Sequence, residues 1–206
     1  MSYSEFSLAR IKKDFQITVI EKVGLFDHLP TENCSAYLAE TLAYNVPLAI
    51  TNNTEKARSE LIISPILVEA RKHQEQFNFF SGTKFDVDES KGLNGFCDFI
   101  VTASEERLYI TAPVFMLVEA KNENINGGFG QCIAEMVAAQ IFNNQENNSI
   151  KTIWGAVTSG TNWQFLTLEN NTVKIDLKDY CLRDIEKILG FLTFPCQSLE
   201  NNLQAA

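Results

Sequence analysis

The chain has 206 residues, 45% of them hydrophobic, and a net charge of −9. That length can bury a full core, and one compact domain over 1–206 is the expectation. No run approaches the roughly 20 apolar residues that cross a bilayer, and the acidic balance argues against a free-standing, tight, non-specific nucleic-acid binder.

The N-terminus, Met1-Ser2-Tyr3-Ser4-Glu5-Phe6, has no basic segment followed by an apolar one, so a secretory leader is not expected. Five scattered cysteines (Cys34, Cys97, Cys132, Cys181, Cys196) form no CxxC pair, and there are two histidines. Zinc and disulfide frameworks are disfavoured, and a reducing cytoplasm fits.

The first fifty-three residues read as a helical extension. Leu8, Ile11 and Phe15 fall at helical spacing, and a second helix is expected from about Ser35 to Tyr44, ending before Pro47. A longer helix starts at Thr54, a candidate N-cap, and runs through Glu55, Arg58, Glu60 and Ile63. Pro65 removes a backbone donor there, so the helix either kinks or restarts at Ser64. Three strand-like segments follow: Phe77 to Val87, Leu93 to Ala103 and, after a turn at Ser104 to Arg107 and a passage through Leu108 to Ile110 and Pro113, the run Val114 to Lys121. Their short connections predict antiparallel neighbours.

After Lys121, a loop with Gly127, Gly128 and Gly130 leads into a helix whose apolar face is Ile133, Met136, Val137 and Ile141. The glycines are not a phosphate-binding signature, because no Gly-Lys-Ser/Thr follows. They are expected to let the chain turn into the helix. Strands are expected at Thr152 to Thr158, Trp163 to Leu168 and Val173 to Leu177, with a turn at Asn170-Asn171. A helix from Asp179 to Leu192 and a loose polar tail from Pro195 complete the chain.

Two acids and a lysine stand out. Asp98 interrupts the apolar run Phe96 to Val101, and Glu119 and Lys121 close the run Val114 to Lys121. A carboxylate inside a buried strand is costly unless cations or hydrogen bonds neutralise it. Strand side chains alternate, so Glu119 and Lys121 share a face, and Asp98 joins them if the two strands are neighbours. Two carboxylates and an ammonium at the end of a buried sheet suit a divalent metal and an activated water. Alone, Glu119 and Lys121 would read as an ordinary same-face ion pair. Asp98, with apolar neighbours on both sides, is harder to explain that way. Trp154 and Trp163 read as core residues, and Cys97 and Cys132 as small buried hydrophobes.

With Asp98 and Glu119-Ala120-Lys121 on adjacent strands, the order of helix, three strands, helix and strand resembles the core of the PD-(D/E)XK nuclease superfamily. The stretches Glu55 to Glu60, Val118 to Glu123 and Gly130 to Met136 resemble, more closely, a group of bacterial proteins frequent in cyanobacteria. The resemblance implies a restriction-endonuclease-like α/β (α+β) fold, a central mixed sheet flanked by helices (αβββαβ). The core would span 54–168, with the helical extension 1–53 before it and a strand, helix and tail over 169–206 after it. It implies that Asp98 and Glu119 bind Mg²⁺ or Mn²⁺, with the Ala120 carbonyl and Glu60 as further ligands. Lys121 would orient or help deprotonate the attacking water, and Gln131 would hydrogen-bond near the site. Glu135, one helical turn on, is a further candidate. The implied function is metal-dependent hydrolysis of phosphodiester bonds in DNA or RNA. The acidic surface implies weak nucleic-acid affinity for the isolated chain, with a homodimer or partner protein supplying grip. The rival expectation is a non-catalytic protein of the same fold that serves assembly or regulation.

Overall fold

The computed structural model describes residues 1–148 and 150–204, with side chains described to Gln197. Helix α1 (Leu8–Asp14) precedes strand β1 (Thr18–Lys22) and helix α2 (Ala36–Asn52). A helical run follows in three parts: α3 (Glu55–Arg58), a π-helical turn (Ser59–Ile63) and α4 (Ser64–His73). Next come β2 (Asn78–Lys84), β3 (Phe96–Thr102), β4 (Val114–Ala120) and α5 (Phe129–Gln145). Strands β5 (Thr152–Thr158), β6 (Asn162–Glu169), β7 (Thr172–Asp176) and β8 (Tyr180–Cys181) lead to helix α6 (Ile185–Gln204).

One mixed sheet runs in the order β1-β7-β6-β5-β4-β3-β2, with β8 also pairing β6. β2, β3 and β4 form the expected antiparallel meander. β4 and β5 are parallel, joined through α5. β4 therefore has a strand on each side and helices over both faces. All seven of its residues are buried, which explains why its sequence is an apolar run rather than an alternation. Pairing shifts from Val101↔Met116 to Thr102↔Val114, so Phe115 is an extra residue in β4. Such a bulge turns two successive side chains to the same side, and Phe115 and Met116 both enter one core.

The sheet separates two apolar layers. On one face Ile100, Leu117 and Val157 meet Ile11 of α1 and Ile133, Met136 and Val137 of α5. On the other, Phe99, Val118, Trp163 and Phe165 meet Leu38 of α2, Ile66 of α4 and Phe191 of α6. Each such large side chain contributes about 1.5–3 kcal/mol by leaving water. The architecture is mixed α/β, a central mixed sheet flanked by helices. Among the described residues no helix is long and apolar enough to cross a membrane.

Thr54 caps α3 as expected, accepting from Ala57 N at 3.1 Å. Of the two alternatives at Pro65, a new helix does open at Ser64, with Pro65 in its first turn, but Ile63 and not Ser64 takes the cap position and a π turn joins it to α3. Pro65 cannot bond the Leu61 carbonyl four residues back, and Asn45 Nδ2 of α2 donates to that oxygen at 2.8 Å instead.

Several expected boundaries are corrected. α2 does not stop at Tyr44 but passes Pro47 to Asn52, where Asn53 takes a left-handed cap at φ 53°. The expected helix does not start at Asp179: the short strand β8 follows that residue, and α6 begins at Ile185 and runs on through Pro195 to Gln204 in place of a loose tail. The last two residues of that tail lie outside the described residues. The first fifty-three residues are not wholly helical either. β1 pairs in parallel with β7, Thr18 facing Thr172. Buried Asp176 holds the segment after β1 by accepting from Gly24 N at 2.7 Å and Phe26 N at 3.2 Å.

Candidate active site

The parallel strands β4 and β5 end side by side, and Lys121 N extends their pairing by donating to Thr158 O at 2.8 Å. In open α/β sheets the crevice beyond such carboxyl ends is the usual ligand position. Phe99 pairs with Val118, which puts Asp98 next to Glu119 across the β3–β4 ladder. Asp98 Oδ2 accepts from Ala120 N at 2.8 Å. Ala120 thus contributes its amide to the placement of the aspartate.

Glu119 is fully buried. Its Oε1 bonds Lys121 Nζ, and its Oε2 has no partner among the described residues. Lys121 Nζ also donates to Gln131 Oε1 at 3.3 Å, and Gln131 Nε2 donates to Glu135 Oε1 at 3.1 Å. Gln131 and Glu135 are one turn apart on α5, so a single helix face carries the relay away from the sheet. The lysine stem lies against Gly128: a Cβ there would be 2.5 Å from Val157 Cγ1 and 3.1 Å from Lys121 Cγ.

Burial sets the charges. Desolvation pushes the Glu119 carboxyl well above the usual carboxylate range, Glu135 and Asp98 push it further, and Lys121 opposes them. Glu135 is pushed up to about 8, mainly by its own burial, with the hydrogen bond from Gln131 acting the other way. Glu119 and Glu135 lie within hydrogen-bonding reach of each other, and each has an unpartnered Oε2. Crowding two carboxyls away from water favours their protonated forms. Burial pulls Lys121 down, but Glu119, Glu55 and Asp98 together outweigh it and leave its pKa raised. Lys121 is therefore a cation at neutral pH.

Of the residues expected from sequence, Asp98, Glu119, Ala120, Lys121 and Gln131 come together. Glu60 does not join them. It is exposed and paired with Lys56 at 2.8 Å, and it borders a separate hollow with Tyr37 and Val68. The helical acid whose charge reaches the cluster is Glu55. Its carboxyl is raised by desolvation first and by Asp98 second, with Lys121 opposing. A separation of five residues turns a helix by about 140° beyond a full turn, so Glu55 and Glu60 cannot share a face. The Thr54 cap was the available signal, since it sets Glu55 in the first turn.

Among the described residues no three His, Cys, Asp or Glu side chains form a group that could hold a metal ion.

No family model, curated protein or solved structure matches this chain.

A polar cleft of about 440 Å³ opens beside the cluster, lined by Asn122, which follows Lys121, and by Arg58, Ser159, Gln164 and Asp179. Arg58 is 7% exposed. It donates from Nε to Asn122 Oδ1 at 3.0 Å, from Nη1 to Ser159 O at 3.0 Å and from Nη2 to Asn53 Oδ1 at 3.2 Å. Nothing in the sequence reading marked Arg58. An arginine on an amphipathic helix carries no sequence signal of burial.

Proposed function

We propose that this chain is a phosphodiesterase of the restriction-endonuclease-like, PD-(D/E)XK class, dependent on Mg²⁺ or Mn²⁺ and acting on DNA or RNA. The observation that carries the reading is Asp98 beside buried Glu119, whose Oε2 lacks a partner, with protonated Lys121 on the same strand end.

The donor set fits a hard divalent cation. It is all oxygen, and a carboxylate oxygen left unpartnered in the core is a poor resting state unless a proton or cation reaches it. Mg²⁺ is commonly held by one or two carboxylates together with substrate phosphate, so the lack of a three-residue cage is no obstacle. Asp98 and Glu119 would hold it, with the Ala120 carbonyl as a third oxygen. Such an ion supplies charge stabilisation at the phosphoryl oxygens and a more acidic water.

The chain's own residues supply the rest. Lys121, held protonated, donates to the phosphate or to the attacking water and balances developing negative charge. It is a poor proton acceptor for the same reason. Gln131 fixes the ammonium through its Oε1 and spaces it from Glu135. Burial favours the protonated forms of Glu119 and Glu135, and an ion bound at Glu119 would release that proton to solvent.

The rival, a non-catalytic module, draws on one specific feature: the Lys121 ammonium is already occupied by Glu119 and Gln131. A cleavage assay over single-stranded, duplex and branched DNA and over RNA, with Mg²⁺ or Mn²⁺, decides between them. The expected result is cleavage by the native chain and none by Lys121→Ala. Equal rates for both, or no cleavage of any substrate, would reject the enzyme.

A further inference from the structure

We propose that Arg58 is a positioning residue that brackets the carboxyl ends of β4 and β5 and so fixes where Lys121 holds its ammonium. What the ammonium does there rests on the hydrolytic reading. Where it is held rests on geometry alone.

Arg58 is nine-tenths buried, yet none of the ion pairs among the described residues includes it. Arginine keeps its charge in proteins, and a buried charge with no counter-ion is costly unless hydrogen bonds offset it. Its three acceptors are uncharged oxygens on three separate segments. Nε bonds Asn122 on the chain leaving β4, Nη1 the Ser159 carbonyl on the chain leaving β5, and Nη2 Asn53 at the end of α2. Asn122 Nδ2 donates in turn to Asn53 O at 3.0 Å, which closes the ring. A planar guanidinium sends its N–H groups out in fixed directions, and a lysine ammonium on a flexible stem does not fix three such points.

The bracket lies where the sheet stops. Ala120 and Thr158 are the last paired residues of β4 and β5, and Lys121 N adds one more bond, to Thr158 O. The next residue on each chain, Asn122 and Ser159, is the one Arg58 holds. A side chain thus continues the pairing past the backbone ladder. Asp98 and Glu119 lie inside β3 and β4 and are placed by those strands. Lys121 is the first residue beyond β4, so its backbone depends on that final bond and on the bracket. Arg58 also sits on α3 with Glu55, whose charge reaches Lys121. The bracket therefore ties the helix of the one to the strand of the other.

The test compares the native chain with Arg58→Met, Arg58→Lys and the milder Asn122→Ala by amide hydrogen exchange, Mn²⁺ affinity from electron paramagnetic resonance, and steady-state cleavage. In Arg58→Met the Lys121 amide should exchange about tenfold faster or more, while that of Val118, deep in β4, keeps its native rate. Mn²⁺ should bind as it does to the native chain, because Asp98 and Glu119 keep their strands. Turnover should fall about 100-fold with KM little changed, the size expected of a small misplacement. Arg58→Lys keeps the charge but not the fork and should not restore turnover. Asn122→Ala should show the same local exchange and lose about tenfold. Full activity in Arg58→Lys, exchange that rises equally at Val118, or a parallel loss of Mn²⁺ affinity would each overturn the proposal, since each signals lost charge or lost fold instead of lost placement. A native chain that cleaves nothing would reject the hydrolytic reading, and exchange would still decide the bracket: faster exchange confined to Lys121 upholds it, and an unchanged rate overturns it.

Discussion

Glu119 and Lys121 sit two residues apart on one strand, and burial makes their pairing more than a surface ion pair. An exposed pair of this kind contributes at most about 1 kcal/mol. Here the acid has no contact with water and one oxygen without a partner. Shortening Lys121 should therefore reduce cleavage by about 100-fold or more while circular dichroism shows an unchanged fold. Asp98→Ala and Glu119→Ala should lose activity to the same extent, because all three act as one unit. Unchanged rates in Lys121→Ala would return the pair to an ordinary structural role. Glu135 gives a test independent of catalysis. Its carboxyl keeps its proton in the folded chain to about pH 8 but loses it near 4.5 when unfolded. Between those values the folded state binds more protons, so stability falls as pH rises, and the loss is complete above the folded value. Urea unfolding of Glu135→Gln should show a flatter decline across that window and a gain on the order of 2 kcal/mol above pH 8. A decline as steep as that of the native chain would remove Glu135 from the account.

Element by element, the helical run from Glu55 to His73 depends on a contact with another helix. Pro65 leaves the Leu61 carbonyl without its helical donor, and Asn45 of α2 supplies one. Asn45→Ala should cost about 1–2 kcal/mol in chemical denaturation, the penalty for a part-buried carbonyl left unpaired. A change near zero would mean water replaces the amide. The glycines after Lys121 divide in role. Gly130 was expected to ease the turn into α5, but it lies inside that helix. A Cβ there would come within 2.3 Å of Phe6 O and 2.5 Å of Ser7 C. Backbone atoms cannot rotate aside as side chains do, so Gly130→Ala should push the start of α1 off α5. A loss of about 1–3 kcal/mol is expected, typical of overpacking. β3, β4 and β5 were legible because a central strand between two helical layers must be largely apolar. β1 was not, because four of its five residues are exposed and it shows no alternation.

Over the whole molecule, the net charge of −9 and the acids at the end of β4 act together. Crowded carboxylates destabilise the metal-free chain, and a divalent cation that binds only the folded state restores stability by mass action. Mg²⁺ or Mn²⁺ should raise the melting temperature of the native chain and leave Asp98→Asn almost unmoved. Above the dissociation constant, each tenfold rise in free ion should add about 1.4 kcal/mol. Equal shifts in both proteins would point to diffuse screening. Nucleic-acid affinity of the isolated chain should be weak and fall as salt rises, since few phosphate contacts are available to release counterions.

The sequence by itself determined the strands that carry Asp98, Glu119 and Lys121, their antiparallel neighbours and the face the last two share. Each of these follows from local rules, an apolar run, a short connection and a period of two. Only the tertiary structure decided that the charge of Glu55 and not of Glu60 reaches the cluster, that Glu135 is buried beside Glu119, and that Arg58 and Gln164 share a cleft. Those facts depend on helix rotation and on which distant segments pack together. Helix rotation is set by contacts such as Asn45 to Leu61, and the pairing of Thr18 with Thr172 joins the two ends of the chain in one sheet. A periodic pattern records which face of an element avoids water, but not which partner covers it.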